Sequence, residues 1–236
     1  MMWRMSRLVA AAKRIDRALF KTFKEHFARE LQGALEGCDS VLDVGCGVNS
    51  PLERLPRRLS RSVGVDLHEP WLAKSKGRGV HDDYVVADVL ELDRHFPPQS
   101  FDAVLASDLL EHLEKADGFR LLDLMERVAR KRVVVFTPNG FIEQHETDGN
   151  PLQVHRSGWS ADEMARRGYY VTGINGWKPL RGEYAVPKWK PRVFWYRISQ
   201  LSQPFVASRP AHAFAILCVK AVDARPRRDT NAAVTA

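Results

Sequence analysis

Acidic residues are the scarcer charged kind in this chain of 236 residues, with 29 Asp and Glu against 36 Lys and Arg and a net charge of +7. That deficit favours anionic partners such as nucleic acid, phosphorylated glycans or an acidic membrane surface. It names none of them, and a solvated basic face is the plainer explanation. Cysteine is scarcer still: Cys38, Cys46 and Cys218 are odd in number and scattered. A disulfide framework and a zinc ribbon are thereby excluded, and a reduced, cytoplasmic setting is expected. No run approaches the roughly 18 to 20 apolar residues of a spanning helix, and the N-terminus has no apolar signal core. A P-loop, a nucleophile elbow and an internal repeat are also missing. What is left is the length and the ordinary apolar content, 44%, of one substantial globular domain.

That domain is organised around Val41–Pro51, Val-Leu-Asp-Val-Gly-Cys-Gly-Val-Asn-Ser-Pro. An apolar run breaks at once into two glycines, which reads as a buried strand ending in a tight turn. Gly45 and Gly47 carry no Cβ, so backbone can come close to a ligand there. Asp43 is expected to face that ligand, in the crevice beyond the carboxyl ends of the strands. Cys46 reads as a small filler of the turn, not a nucleophile. A dinucleotide turn needs a third glycine where Ser50 stands. Asp43 would also set a negative charge beside a pyrophosphate, so a cationic or zwitterionic ligand suits the turn better.

Around this turn the chain alternates strands and helices. From Trp3 to Leu35 apolar residues recur every three or four positions, with Arg and Lys on the other faces. The stripe predicts a helix that packs at the domain edge as a lid or substrate wall, or lies on an anionic membrane. A second strand ends at Asp66, with Leu67 beside it, 23 residues after Asp43. A carboxylate there can accept from two adjacent ribose hydroxyls. A third strand leads to Asp88 and Val89. The fourth, Ala103–Ala106, has Ser107 and Asp108 at its end and is followed by Leu-Leu-Glu-His. A helix is expected from Asp117 through Arg130, with Lys131 and Arg132 complementing its negative end. The fifth strand, Val133–Phe136, exits through a loop that offers Asn139 to the same crevice. A long polar loop follows over Phe141–Trp159, and Gln144, His145, His155 and Trp159 are its candidate substrate-side residues. Ser160–Glu163 has the spacing of a capping box. After a sixth strand near Tyr169, residues 177–210 interleave aromatics with cations, suited to stacking, to a membrane interface, or to covering the sheet. Ala213–Lys220 supplies the last strand.

The turn with Asp43, Gly45 and Gly47 resembles motif I of the class I S-adenosylmethionine-dependent methyltransferases, acidic-x-Gly-x-Gly. Phe101-Asp-Ala-Val with the later Glu-His, the His-x-x-Gly-Trp-Ser-x-x-Glu stretch and Arg-Arg-Gly-Tyr also look like the type 11 group of that family. The resemblance covers about Val41 to Lys220. It implies an α/β, Rossmann-like doubly wound sheet of seven strands, parallel except for an antiparallel last strand between the fifth and sixth. It implies S-adenosyl-L-methionine as cofactor, held by Asp43, Gly45, Cys46, Gly47, Asp66, Leu67, Asp88, Val89, Ser107 and Asp108. In relatives the acidic position of Asp88 meets the adenine amine, and the segment from Ser107 passes under the methionine part.

The function expected is methyl transfer to a small-molecule or glycan acceptor, at oxygen, by in-line displacement. A neutral alcohol then needs a base, for which His112, His145 and His155 are the candidates. Asn139, Gln144, His155 and Trp159 are expected to contact the acceptor, and no metal site is expected. The alternatives are a nucleic-acid methyltransferase, suggested only by charge, and a non-catalytic cofactor-binding module at a membrane or partner surface. The expected organisation is a basic amphipathic helix over 1–36, a methyltransferase domain over 37–222 with an insertion at 177–210, and a disordered tail over 223–236. The setting is cytoplasmic, with contact at the inner face of a membrane left open, as is the oligomeric state.

Overall fold

The computed structural model describes residues 26–56, 58–146 and 150–222. The stripe predicted from Trp3 is therefore seen only from residue 26, as helix α1 over 26–34. Its earlier part, Asp148 of the polar loop and the tail from Asp223 lie outside the described residues. Among the described residues no helix is long and apolar enough to cross a membrane.

Seven strands form one sheet: β1 Ser40–Val44, β2 Arg61–Asp66, β3 Asp83–Val86, β4 Phe101–Ser107, β5 Ala129–Pro138, β6 Tyr170–Trp177 and β7 Ala213–Ala221. Their order is β3-β2-β1-β4-β5-β7-β6. The pairs from β3 to β5 are parallel, whereas β7 runs antiparallel to both β5 and β6. The expected doubly wound sheet, with its late strand inserted, is thus present. The central strands read as continuous apolar runs because both faces are covered. Leu42, Val44, Val104, Ala106, Val133 and Val135 point into one layer, and Val41, Ala103, Leu105, Val134 and Phe136 into the other.

The first layer is closed by α4, Lys115–Val128, through Leu121, Leu122, Met125 and Val128. This helix starts two residues earlier and stops two residues sooner than the sequence pattern predicts, because Ala129 and Arg130 already belong to β5. Lys131 and Arg132 consequently do not serve its C-terminus. They donate instead to Gly37 O (2.7 Å) and Ala34 O (2.8 Å), carbonyls in the turn that follows α1 and at its last residue. The second layer is closed by α1 through Phe27 and Leu31, with the Phe27 ring 4.3 Å from that of Phe136.

The remaining helices are α2 Glu69–Arg78, α3 Leu92–His95, α5 Ala161–Arg166, α6 Arg192–Leu201 and α7 Gln203–Ala207. Ser160 caps α5 as its spacing predicts, accepting from Glu163 N. Helices α6 and α7 lie on the outer strand β6, where glycines make room. A Cβ on Gly173 would come 2.1 Å from Val206 O, and one on Gly176 2.3 Å from Ser199 O. The Gln203 amide then donates to Gly173 O and accepts from Gly176 N, pairing backbone groups at the sheet's edge.

Candidate active site

The carboxyl ends of β1, β2 and β4 open on one cavity of about 620 Å³. The glycine bend after β1 forms its floor, with Gly45 at φ 66° and Gly47 at φ 52°. Gly45 N and Cys46 N both donate to Val65 O, which fastens the bend to β2. The positive φ of Gly45 favours glycine, and a Cβ there would also press on Leu109 Cδ1 at 2.6 Å. Asp66, at the end of β2, accepts from Gly47 N and His68 N, both at 2.8 Å. A carboxylate has about four acceptor sites, so Asp66 keeps capacity for ribose hydroxyls while bracing the bend. Asp88 spends one oxygen on Leu90 N (2.9 Å). Gly45, Cys46, Gly47, Asp66, Leu67, Asp88, Val89, Ser107 and Asp108 all line this cavity, on the same side of the sheet.

Asp43 does not. Its carboxylate is 1% exposed beneath the bend, where it accepts from Ser50 Oγ and lies 3.4 Å from His81 Nε2. Burial pushes Asp43 up to about 7 and His81 down to about 4. Their contact is therefore not a formed ion pair despite its distance: burial disfavours both charges, and His81 is neutral near pH 7. The expectation that Asp43 faces the ligand is corrected: it stiffens the turn from behind. Cys46 is a buried filler, and burial, then the charges of Asp43 and Asp66, raise its thiol far above the thiolate range. Trp71 and Lys74 of α2 also line the cavity. Sequence reading missed both, because nothing distinguishes a cavity-facing Trp on a short helix from a packing one.

A second cavity, of about 500 Å³, adjoins the first and shares Asn49, Pro51, Ser107, Asp108, His112 and Gln153 with it. Asp108 sits at its mouth in a left-handed conformation, φ 50°, which Asp adopts more readily than most residues. Phe27 of α1, Glu111, Gln144 and His155 are further walls. The 3-10 turn Leu110–His112 places Glu111 and His112. Glu111 is 2% exposed and accepts from Thr137 Oγ1 at 2.9 Å. Burial, and then the charge of Asp108, hold its carboxyl well above the usual range. His112 is lowered to about 4 and His155 is lowered too, in both cases mainly by burial. Their rings meet edge to face at 4.8 Å.

The structure brings His112, His155 and Gln144 together here, but three other residues expected at the acceptor lie elsewhere. The His145 side chain is 77% exposed, beside Glu143 and Glu183, and lines neither cavity. Asn139 is buried: its amide donates to Pro210 O, Ala211 O and Ala213 O and accepts from Ala161 N. It ties the β5 exit loop to β7 and α5. Trp159 is fully buried, with Lys115 Nζ 3.5 Å above its ring and its Nε1 donating to Ser157 Oγ. Asn139 is structural because loop backbone taken inside the fold needs partners, and Trp159 because its ring fills the core over Gly118. Glu111 was missed; its only signal was its place beside His112.

Residues 42–137 match a family model described as a methyltransferase domain. A sterol 24-C-methyltransferase of Eremothecium gossypii is 34% identical over 101 residues, 40% of this chain and 26% of that protein. A ubiquinone biosynthesis O-methyltransferase of Hahella chejuensis is 32% identical over 100 residues, 41% of each chain. The chain thus spans a quarter to two-fifths of these relatives. Among solved structures, a SAM-dependent methyltransferase from Archaeoglobus fulgidus superposes with a TM-score of 0.53 at 18% identity, covering 84% of this chain and 94% of that one. The fold is shared with it.

Proposed function

We propose that this chain, which carries a class I S-adenosylmethionine-dependent methyltransferase domain, transfers a methyl group to an oxygen of a small-molecule or glycan acceptor by in-line displacement. The observation that carries the reading is the junction of the two cavities at Ser107, Asp108 and His112. One cavity fits the cofactor: its glycine bend admits backbone contact, Asp66 has acceptor sites for the ribose, and Asp88 has an oxygen for the adenine amine. When bound, the cofactor supplies a methyl already activated on a positively charged sulfur. The protein's own work is to align the acceptor, exclude water and hold a proton. Leu109, which fills the space above Gly45 in the first cavity, and Phe27 in the second are apolar walls suited to excluding water. His112 and His155 are neutral near pH 7, and with Asp108 they are the groups able to take the hydroxyl's proton.

A screen with methyl-labelled cofactor against alcohols, phenols and sugars, read by mass spectrometry, tests the proposal. A methyl ether is the expected product, and transfer only to carbon or nitrogen would sink the oxygen assignment. The ubiquinone O-methyltransferase likeness agrees with oxygen, and the sterol enzymes name a carbon acceptor. The nucleic-acid alternative rests on the +7 charge. It predicts RNA or DNA binding that weakens steeply with salt. A non-catalytic module would bind the adenosyl cofactor and transfer nothing. Contact with an anionic membrane, in a cytoplasmic setting, is a separate proposal, supported by the exposed Trp189, Phe194 and Phe205 beside Lys and Arg of 177–210. Sedimentation with anionic against neutral vesicles tests it.

A further inference from the structure

The floor of the acceptor cavity has a composition that base catalysis alone does not explain. A carboxylate and two imidazoles, Glu111, His112 and His155, each bring one ligating atom to within 4.8 Å of the others. A first-row divalent cation bonded at about 2.1 Å holds neighbouring ligand atoms roughly 3–3.5 Å apart. Small side-chain rotations would bring the three to that spacing.

Three features prepare the residues for such a cation. His155 Nδ1 lies 2.6 Å from Ile142 O and His112 Nδ1 3.3 Å from Val154 O. A carbonyl can only accept, so His155 Nδ1 carries the proton and its Nε2 keeps its lone pair, and Val154 O offers His112 Nδ1 the same anchor. A second ring nitrogen anchored on a backbone carbonyl is the usual support of a metal-bound histidine. Glu111 is oriented in the same way by Thr137 Oγ1. Lastly, the loop bearing His155 is stitched to the turn bearing the other two. Arg156 N and Ser157 N donate to Glu111 O at 2.7 and 3.1 Å, and Ser157 Oγ donates to Leu110 O. Residues more than 40 apart in sequence are thus held in register by backbone bonds.

We propose that Glu111, His112 and His155 form a binding site for a divalent transition-metal cation whose open positions take the acceptor's oxygen. Two nitrogens and one carboxylate suit Mn²⁺, Fe²⁺, Co²⁺ or Zn²⁺ better than Mg²⁺, which prefers oxygen and water. The site deepens the oxygen-acceptor reading and rests on it for the cation's role. With both imidazoles engaged as ligands, Asp108, which lines both cavities, is left to take the hydroxyl's proton.

The test uses Co²⁺ as probe, with the full chain freed of metal by chelator. Calorimetry and visible absorption should show about one Co²⁺ per chain with a ligand-field band. Thermal unfolding should rise with Co²⁺ concentration by mass action. His155→Gln and Glu111→Gln should weaken Co²⁺ binding at least tenfold and flatten that rise. Their affinity for S-adenosylhomocysteine should change less than threefold. Mg²⁺ at equal concentration should produce neither shift nor displacement. No binding to the wild type, or equal binding by folded variants, overturns the site. If a variant does not fold, the wild-type band and the Mg²⁺ comparison still decide. Loss of S-adenosylhomocysteine binding by the wild type would overturn the proposed function and leave the metal result standing.

Discussion

The two adjoining cavities are built in different ways. The cofactor side is made by strand ends and the turns that leave them, so Gly45, Gly47, Asp66 and Asp88 are placed by the sheet itself. The second cavity has Phe136, Pro138, Asn175, Phe214 and Ala215 of β5, β6 and β7 in its wall, and adds to them α1, the 3-10 turn after β4, the loop around His155 and the segment near Tyr184. The first depends on register that seven strands fix together. The second rests on the same sheet but takes Glu111, His112, Gln144 and His155 from a turn and a loop, and loops vary where strands do not. Such a division lets one cofactor-binding frame accept many acceptors.

The difference can be broken or sharpened by substitution. The largest effect is expected at Asp66. Asp66→Ala should weaken S-adenosylhomocysteine binding on the order of 100-fold, about 2.7 kcal/mol, by calorimetry. The far-ultraviolet circular dichroism should stay intact. Unchanged affinity would remove the ribose assignment.

Next comes the acceptor side's scaffold. Gly118 of α4 lies under Trp159, and a Cβ there would meet Cζ2 at 2.3 Å. Gly118→Ala should cost about 1–3 kcal/mol in urea unfolding although Ala favours helix, because overpacking exceeds propensity. A stabilised variant would show that Trp159 is not seated there.

The Asp43–His81 pair gives a pH signature. Asp43 is raised from 3.8 to about 7, so its contribution is complete below pH 3.8 and is lost as pH rises through 7. His81 is lowered from 6.5 to about 4, so its contribution is present above 6.5 and is lost as pH falls through 4. Between these limits the two oppose each other. Asp43→Asn leaves the histidine alone, so stability should climb between pH 4 and 6.5 by on the order of 2 kcal/mol more than in the wild type. Parallel pH profiles would dissolve the pair. The smallest effect is expected at exposed His145. His145→Ala should change turnover less than about twofold and stability by under about 0.5 kcal/mol; a large loss of turnover would return it to the acceptor site.

What was legible in the sequence follows the same division. The glycine bend, Asp66 and Asp88 could be read because local chain pattern sets strand ends, and the sheet order was implied by the family likeness. Asp43 was misread because the direction of a carboxylate at a strand end depends on its far partner, His81. Asn139 and Trp159 looked like acceptor contacts because polar and aromatic residues in a long loop look alike whether they face a cavity or bind the loop's backbone. Lys131 and Arg132 were assigned to the wrong helix since only the tertiary fold brings the end of α1 within their reach.

Gln203 has a consequence of its own. Its amide stands in for a neighbouring peptide along Gly173–Gly176, so a foreign strand seeking to extend the sheet there would first have to evict a side chain already making both bonds. Ser199 on Asn175 O and Ser202 on Trp177 N extend the same cover, so this stretch of the rim is closed to self-association by side chains of α6 and α7 and not by a further strand.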